Sequence, residues 1–257
     1  MERLKHVALL YTYNRPELLG RSIRCWLEQE YENKQLCIFN NGNTDITLGG
    51  DLGGNYSNLG IKVVNNNKDV WSGKPFNNLG TIYMNGLHWF AEELSNSTFV
   101  TMWQDDDMYL SHFLNSCNDL ADYPLDLPSV FKTKEFIFHD KGNRISKRDE
   151  NNVEGSWIID IDFLLKTGFE EPSMHPETSL HAKLKSDINY IKDSNAKPSY
   201  IYEWNNGVYH SSGGINNPNN FNIYRQQNNK EEKVIEVWSK EKLINYYKEN
   251  NLLQWMQ

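Results

Sequence analysis

Residues 99–110 read FVTMWQDDDMYL: a short strand-like run, Phe99 to Trp103, stops at three consecutive carboxylates, Asp105, Asp106 and Asp107, then turns apolar again. Adjacent carboxylates repel and raise one another's pKa, so the run costs stability unless positive charge sits among them. A divalent ion is the simplest source of that charge, because hard Asp oxygens suit Mg2+ or Mn2+. The competing reading is a cap. Acids favour helix N-termini, and a helix opening near Met108 would use one of them, although one cap does not require three acids.

Working outward, the segment HVALLYTY is an apolar run closed by a polar turn, and NRPELLGRSIRCWLEQ carries Leu18, Leu19, Ile23, Trp26 and Leu27 at helical spacing. QLCIFNNGNTD predicts a strand over Leu36 to Phe39 cut off by the Asn41-Gly42 turn, IKVVNNN a third strand, and NNLGTIYMNGLHWFAEEL a helix leading into FVTMW. Strands alternating with helices imply an α/β fold with a mostly parallel central sheet flanked by helices, and ligands of such sheets sit at the carboxyl ends of the strands. Here those ends carry TYNR, NNGNTD, NNNKD and QDDD.

The second half is less regular. SVFKTKEFIF reads as a strand, GSWIIDIDFLLKTGF as a strand running into a short helix, and PETSLHAKLKSDINYI as a helix through Leu180, Leu184 and Ile188. PSYIYEW leads into the Gly/Asn/Ser-rich loop NNGVYHSSGGINNPNN, and the tail KEEKVIEVWSKEKLINYYKENNLLQWM predicts one or two packed helices.

A chain of 257 residues with 39% hydrophobic content can bury a sizeable core, and 13% aromatics, 8 Trp and 14 Tyr among them, suit pockets as well as packing. A net charge of -8 argues against a broad nucleic-acid or anionic-membrane footprint, and solubility alone also accounts for it. No stretch approaches the roughly 18–20 apolar residues that span a bilayer, and the N-terminus lacks a signal-peptide pattern. Cys25, Cys37 and Cys117 are an odd number without metal-type spacing, so buried reduced thiols and a cytoplasmic location are expected.

Taken in order, these pieces resemble the family 2 glycosyltransferases with the GT-A nucleotide-sugar fold, over roughly residues 6 to 213. VALLYTYNRPELLGRSIRCWLEQEY is similar to the family's opening strand, turn and helix; CIFNNGNTD stands for an acidic D-D-G-S-T-D; GKPFNNLG, with Asn78, stands for G-x-x-x-A-R-N-x-G. WQDDDMYLSHFL resembles the acidic metal motif, HPETSLHAKL the E-D-x-x-L-x-x-R-L segment, and YEWNNGVYHSSG the W-x-x-G-x-x-H-x-S ending.

The resemblance implies a metal-dependent, inverting transferase that moves a hexose or pentose from a nucleotide-diphospho-sugar, a UDP-sugar by preference, to an acceptor hydroxyl. By analogy with the family the acceptor is a glycan or lipid-linked glycan, with a modified nucleic-acid base a further option. Mn2+ or Mg2+ would bridge the diphosphate and stabilise the charge of the leaving group. Laid on the family's D-x-D-D pattern, QDDDM puts Gln104 at the first acid. It implies Asp105 as the ribose or metal-water contact, Asp106 as the direct metal ligand, and Asp107 as a second ligand or a structural cap.

Thr12, Tyr13 and Arg15 fall where base and ribose lie, with a plain loop-to-helix transition as the alternative. Asn40 and Asn41 replace the acid that accepts the uracil N3–H, and an amide can accept that bond or donate to another base. Lys74 falls within reach of base or diphosphate, or is simply solvated. The resemblance implies Glu177 as the general base, which as a helix N-terminal acid would also be stabilised there by the macrodipole; His175 is in reserve. His210, in its Gly/Ser loop, would close onto metal or diphosphate, unless it is polar surface.

The expected organisation is a GT-A-like domain over 1–215, with a nucleotide-sugar half at 1–110 and an irregular acceptor half at 111–215, and a helical tail at 216–257. Two rivals remain. One is a non-catalytic nucleotide-sugar or metal-binding module, kept open by Gln104 and Asn40 in place of acids. The other is a nucleotidyltransferase, disfavoured because TYNRPE is not a Gly-rich basic phosphate loop.

Overall fold

The structure, a computed structural model, describes residues 5–50, 56–74, 76, 78–115, 130–140, 144–149, 153–169, 191–194, 197–204 and 233–256. The chain opens with β1 (His6–Thr12), α1 (Pro16–Leu27), β2 (Lys34–Asn40), β3 (Ile46–Gly49) and β4 (Ile61–Asn65). It continues through α2 (Leu79–Trp89), α3 (Ala91–Ser95), β5 (Phe99–Trp103) and β6 (Met108–Tyr109). Then come β7 (Val130–Thr133), β8 (Glu135–Asp140), β9 (Arg144–Asp149), β10 (Ile158–Asp160), α4 (Ile161–Thr167), β11 (Ile191–Ser194) and β12 (Tyr200–Trp204). The last elements are β13 (Lys233–Glu236) and α5 (Lys240–Glu249).

The central sheet has seven strands in the order β11-β7-β10-β5-β1-β2-β4. β5, β1, β2 and β4 run parallel, and β10 enters antiparallel between β5 and β7. Burial on both faces explains the sequence of β1: Val7 and Leu9 pack with Phe39, Ile82 and Phe90 beneath α2, while Ala8 and Leu10 pack with Ile23, Trp26 and Trp103 beneath α1. α1 starts where Pro16 sits in the first turn, a position whose N–H has no helical partner to lose. Thr12 pairs with Asn40, and Asn40 with Asn65, so the strand ends form one polar edge.

A second sheet of four strands, β6-β12-β8-β9, lies beyond the end of β5. No helix opens at Met108; that residue begins β6 and pairs with Ile201 of β12. The acidic run is therefore the crossover from one sheet to the other, and the cap reading has no helix to serve.

The tail departs from expectation. Lys233–Glu236 is a strand, parallel to β3, before α5 begins with Ser239 Oγ accepting from the Lys242 N–H at 3.1 Å. The reason is the period-two alternation of exposed Val234, buried Ile235, exposed Glu236 and buried Val237, which a helix could not present to one neighbour. Gly20 of α1 makes the seat: a Cβ there would stand 2.2 Å from the Glu236 carbonyl oxygen, and the Gly20 carbonyl accepts from Trp238 N at 3.2 Å. Among the described residues no helix is long and apolar enough to cross a membrane.

Candidate active site

The polar edge is assembled from three turns. β1 ends at Thr12, the chain passes half-buried Tyr13 and Asn14 at φ 53, and Arg15 stands just before α1. Asn can hold that left-handed conformation because its short side chain bonds locally. Here the Asn14 side-chain Oδ1 accepts from Asn43 N at 3.3 Å, which joins the turn after β1 to the turn after β2. Gly42 makes the junction possible, since a Cβ there would lie 2.8 Å from Asn14 Oδ1 and 2.9 Å from Asn40 Oδ1.

Onto this floor the crossover places its first two carboxylates. Thr12 Oγ1 donates to Asp105 Oδ2 at 2.8 Å, and one Arg15 guanidinium nitrogen donates to Asp105 Oδ1 at 2.8 Å and to Asp106 Oδ2 at 3.0 Å. All three acids are buried, Asp106 the least at 7% exposed. The positive charge that the run requires is thus supplied by the chain itself. Burial pushes the Asp105 carboxyl above the usual range, Arg15 opposes that, and repulsion from Asp106 adds to it. Burial would lower Arg15, yet the two carboxylates outweigh it and hold the guanidinium firmly charged.

Asp107 faces the other way. Its Oδ1 accepts from the backbone N–H of Glu203 at 2.9 Å and its Oδ2 from the Tyr200 hydroxyl, both on β12. Burial, and then repulsion from Asp106, raise its pKa well above the usual carboxylate range. Behind it lies a buried cluster that sequence reasoning missed. Arg21 of α1 pairs with Glu203 and donates a second nitrogen to the Asp106 carbonyl oxygen at 2.7 Å. The Tyr246 hydroxyl of α5 donates to Glu203 Oε1 at 2.7 Å, and His139 Nδ1 lies 3.0 Å from the same oxygen. Burial alone would raise Glu203, but the Arg21 charge with the His139, Tyr246 and Arg21 hydrogen bonds brings it down to about 2. One signal was available: Arg21, three residues after Leu18 and four before Cys25, is a charge on the apolar face of a helix.

The remaining expected residues are distributed as follows. The Asn40 amide donates to the Thr44 carbonyl and to Asn65 Oδ1, both at 2.8 Å, and its oxygen accepts from Gly42 N at 3.0 Å, so it holds the edge together. Asn41 is buried beside it, its N–H donating to the Thr12 carbonyl at 3.1 Å. Asn78 caps α2, its oxygen accepting from Thr81 N at 2.7 Å. Lys74 is exposed in a turn that Asp69 closes, and none of the contacts that assemble the acidic cluster involves it. Gln104 turns its amide back to the Met102 carbonyl at 3.3 Å. Glu177, His175 and His210 lie outside the described residues.

Among the described residues no group of three His, Cys, Asp or Glu side chains is arranged to cage a metal ion. Asp105 and Asp106 nevertheless fit an ion of another kind. Mg2+ typically takes one or two carboxylates and completes its shell with water and substrate phosphate oxygens.

No family model matches the chain, and no curated protein matches it. Among solved structures it is similar to S. aureus TarS 1-349, at 14% identity and a TM-score of 0.56 over 78% of this chain and 60% of that one. The complex of TarS 1-349 with UDP-GlcNAc gives 13% identity and a TM-score of 0.54 over 82% and 62%. Full TarS gives 14% and 0.51 over 79% and 37%. The fold is thus GT-A-like, a mixed α/β architecture shared with structures that bind UDP and UDP-GlcNAc at their own sites. This chain spans about three fifths of the TarS 1-349 chain.

Proposed function

We propose that the protein is a family 2-like glycosyltransferase that takes a sugar from a nucleotide-diphospho-sugar and transfers it, with inversion, to an acceptor hydroxyl. The observation that carries this reading is the buried pair Asp105 and Asp106 at the carboxyl end of β5, beside Thr12 and Arg15 and without a helix to cap. Buried charge held at the edge where open α/β sheets bind ligands is a mark of a site.

In this reading Thr12, Tyr13 and Asn41 line the nucleoside pocket, and Asp105 receives the ribose side. Asp106 with Asp105 would hold Mn2+ or Mg2+, which when bound screens the diphosphate charge that grows as the sugar leaves. Arg15 neutralises the two carboxylates before donor arrives and is close enough to share in binding the diphosphate. Glu177 as the general base and His210 as a closing residue are proposed from the resemblance alone, as is a UDP-linked hexose or pentose as the donor. Residues 111–215 would receive the acceptor.

A binding module without transfer is the reading that Gln104 favours, because its amide serves Met102 instead of adding an acid to the site. One experiment separates the two. UDP- and GDP-sugars are incubated with the protein and Mn2+ or Mg2+, and release of nucleoside diphosphate is followed. Metal-dependent release is expected with at least one donor; binding without release supports the module, and neither binding nor release defeats both.

A further inference from the structure

Residues Gln104–Asp107 are gripped from behind at almost every position. Ser22 Oγ of α1 donates to the Gln104 carbonyl at 3.0 Å, Arg21 to the Asp106 carbonyl at 2.7 Å, and the Glu203 N–H to Asp107 Oδ1 at 2.9 Å. Arg21 and Glu203 are also each other's partners, with side chains 1% and 0% exposed. The two residues of one ion pair therefore hold consecutive residues of the crossover, Arg21 by its guanidinium on the Asp106 main-chain carbonyl and Glu203 by its own backbone N–H on the Asp107 carboxylate.

Such a pair is a poor source of stability, since its desolvation cost rivals its attraction and well-packed apolar residues commonly replace it without loss. Among the described residues, Arg21 Nε is in addition buried without a hydrogen-bond partner. The guanidinium is placed to reach Glu203 and Asp106 together, at the expense of its own full satisfaction. The second carboxylate oxygen of Glu203 is fixed by His139 of β8 and Tyr246 of α5. Elements far apart in the chain meet at this point, while the side chains of Asp105 and Asp106 take Thr12 and Arg15 as partners instead.

We propose that Arg21 and Glu203, steadied by the Tyr246 hydroxyl, are positioning residues that set the acidic crossover to receive the charged end of the donor; this rests on the donor-binding reading above. It also makes α5 a working part of the site, through a single hydroxyl on an element late in the chain. A main-chain grip of this kind controls where carboxylates point, which decides how well they hold a phosphate-bridging ion.

The test measures affinity for UDP, uridine, GDP and guanosine, each with MnCl2, by calorimetry well below the melting temperature. The variants are Glu203→Gln, Arg21→Lys and Tyr246→Phe in the full chain. The expected result is a loss of diphosphate affinity of about 10- to 100-fold in Glu203→Gln and Arg21→Lys, the range for residues that orient metal ligands, and a smaller loss in Tyr246→Phe. Affinity for the bare nucleoside should fall much less in each, because Thr12 and Asn41 are set by the ends of β1 and β2 and only the Asp105 contact to ribose lies on the crossover.

Arg21→Lys is the sharpest case, because it keeps the charge opposite Glu203 but cannot also reach the Asp106 carbonyl with a planar fork. Were charge alone the purpose, it would match the parent in both affinities, and the proposal would be overturned. Equal losses for nucleotide and nucleoside, or none for either, overturn it too, and Tyr246→Phe decides if the other two fail to fold. Failure of the parent to bind UDP or GDP with Mn2+ sinks the donor reading and the proposal with it.

Discussion

The two ends of β1 bury polar groups in opposite ways. At the first residue, His6 is fully buried, its Nε2 lies 3.0 Å from Thr101 Oγ1 of β5, and burial lowers its pKa to about 3, so it stays neutral. At the last, Thr12 donates to Asp105, which with Asp106 keeps a charged arginine in a buried cluster. The same strand, at its opposite end, shows that this fold can satisfy a buried polar side chain without charge. Retaining charge at the carboxyl edge is costly by comparison, and on the proposed reading a ligand of matching charge is what that cost serves.

The largest break in that comparison comes from Asp106. Asp106→Asn should lower metal-dependent turnover by about two to three orders of magnitude, the scale for losing one preorganised electrostatic contact. Metal-free stability should stay within about 1 kcal/mol, because relief of repulsion with Asp105 offsets the weaker bond to Arg15. Parallel turnover and thermal-melting measurements decide: a destabilised variant with normal turnover would show that the cluster serves the fold alone.

Arg15 comes next. Replacing it by Met leaves Asp105 and Asp106 without their counter-charge and should cost about 1.5–3 kcal/mol, as for hydrogen bonds to charged groups. Mn2+ should recover part of this, so the melting temperature of Arg15→Met should rise more with Mn2+ than that of the parent. Equal shifts would mean that the two carboxylates do not hold the ion.

The central sheet was readable in the sequence because its strands are buried on both faces, and such runs of apolar residues between turn signals have few other uses. The polar edge was readable for the same reason, since each apolar run had to stop somewhere. Period-two alternation in KVIEV was hidden by flanking charges that suit a surface helix, so β13 was missed. The acidic run displays its charge in the sequence but not its partner, because Arg15 lies 90 residues from Asp105 and no local pattern connects them, which leaves a metal ion as the nearest explanation at that level. Arg21 and Glu203 are 182 residues apart, and only the packing of β12 against the crossover brings them together. In the sequence Asn40 and Asn78 read as donor-binding residues; that Asn40 holds a turn and Asn78 caps a helix depends on backbone geometry a sequence does not display.

The smallest effect concerns the neutral end and carries the opposite pH sign from the charged one. For His6 the folded pKa, about 3, lies below the ordinary 6.5, so the unfolded chain binds the extra proton between those values. Its contribution is complete above pH 6.5 and is lost as the pH falls toward 3. Asp105, raised chiefly by burial, behaves in reverse: its contribution is present at low pH and lost as the pH rises through its folded pKa. Between pH 6.5 and about pH 5.5 the His6 contribution amounts to about 1 kcal/mol, less than one pKa unit's worth because titration has only begun. His6→Gln, which can still bond Thr101, should remove that slope from the stability profile, whereas Asp105→Asn, which leaves His6 in place, should not remove it. Urea unfolding of the three proteins across that interval makes the comparison. If His6→Gln retains the parent's slope, His6 is already charged in the folded protein, and the contrast between the two ends of β1 does not hold.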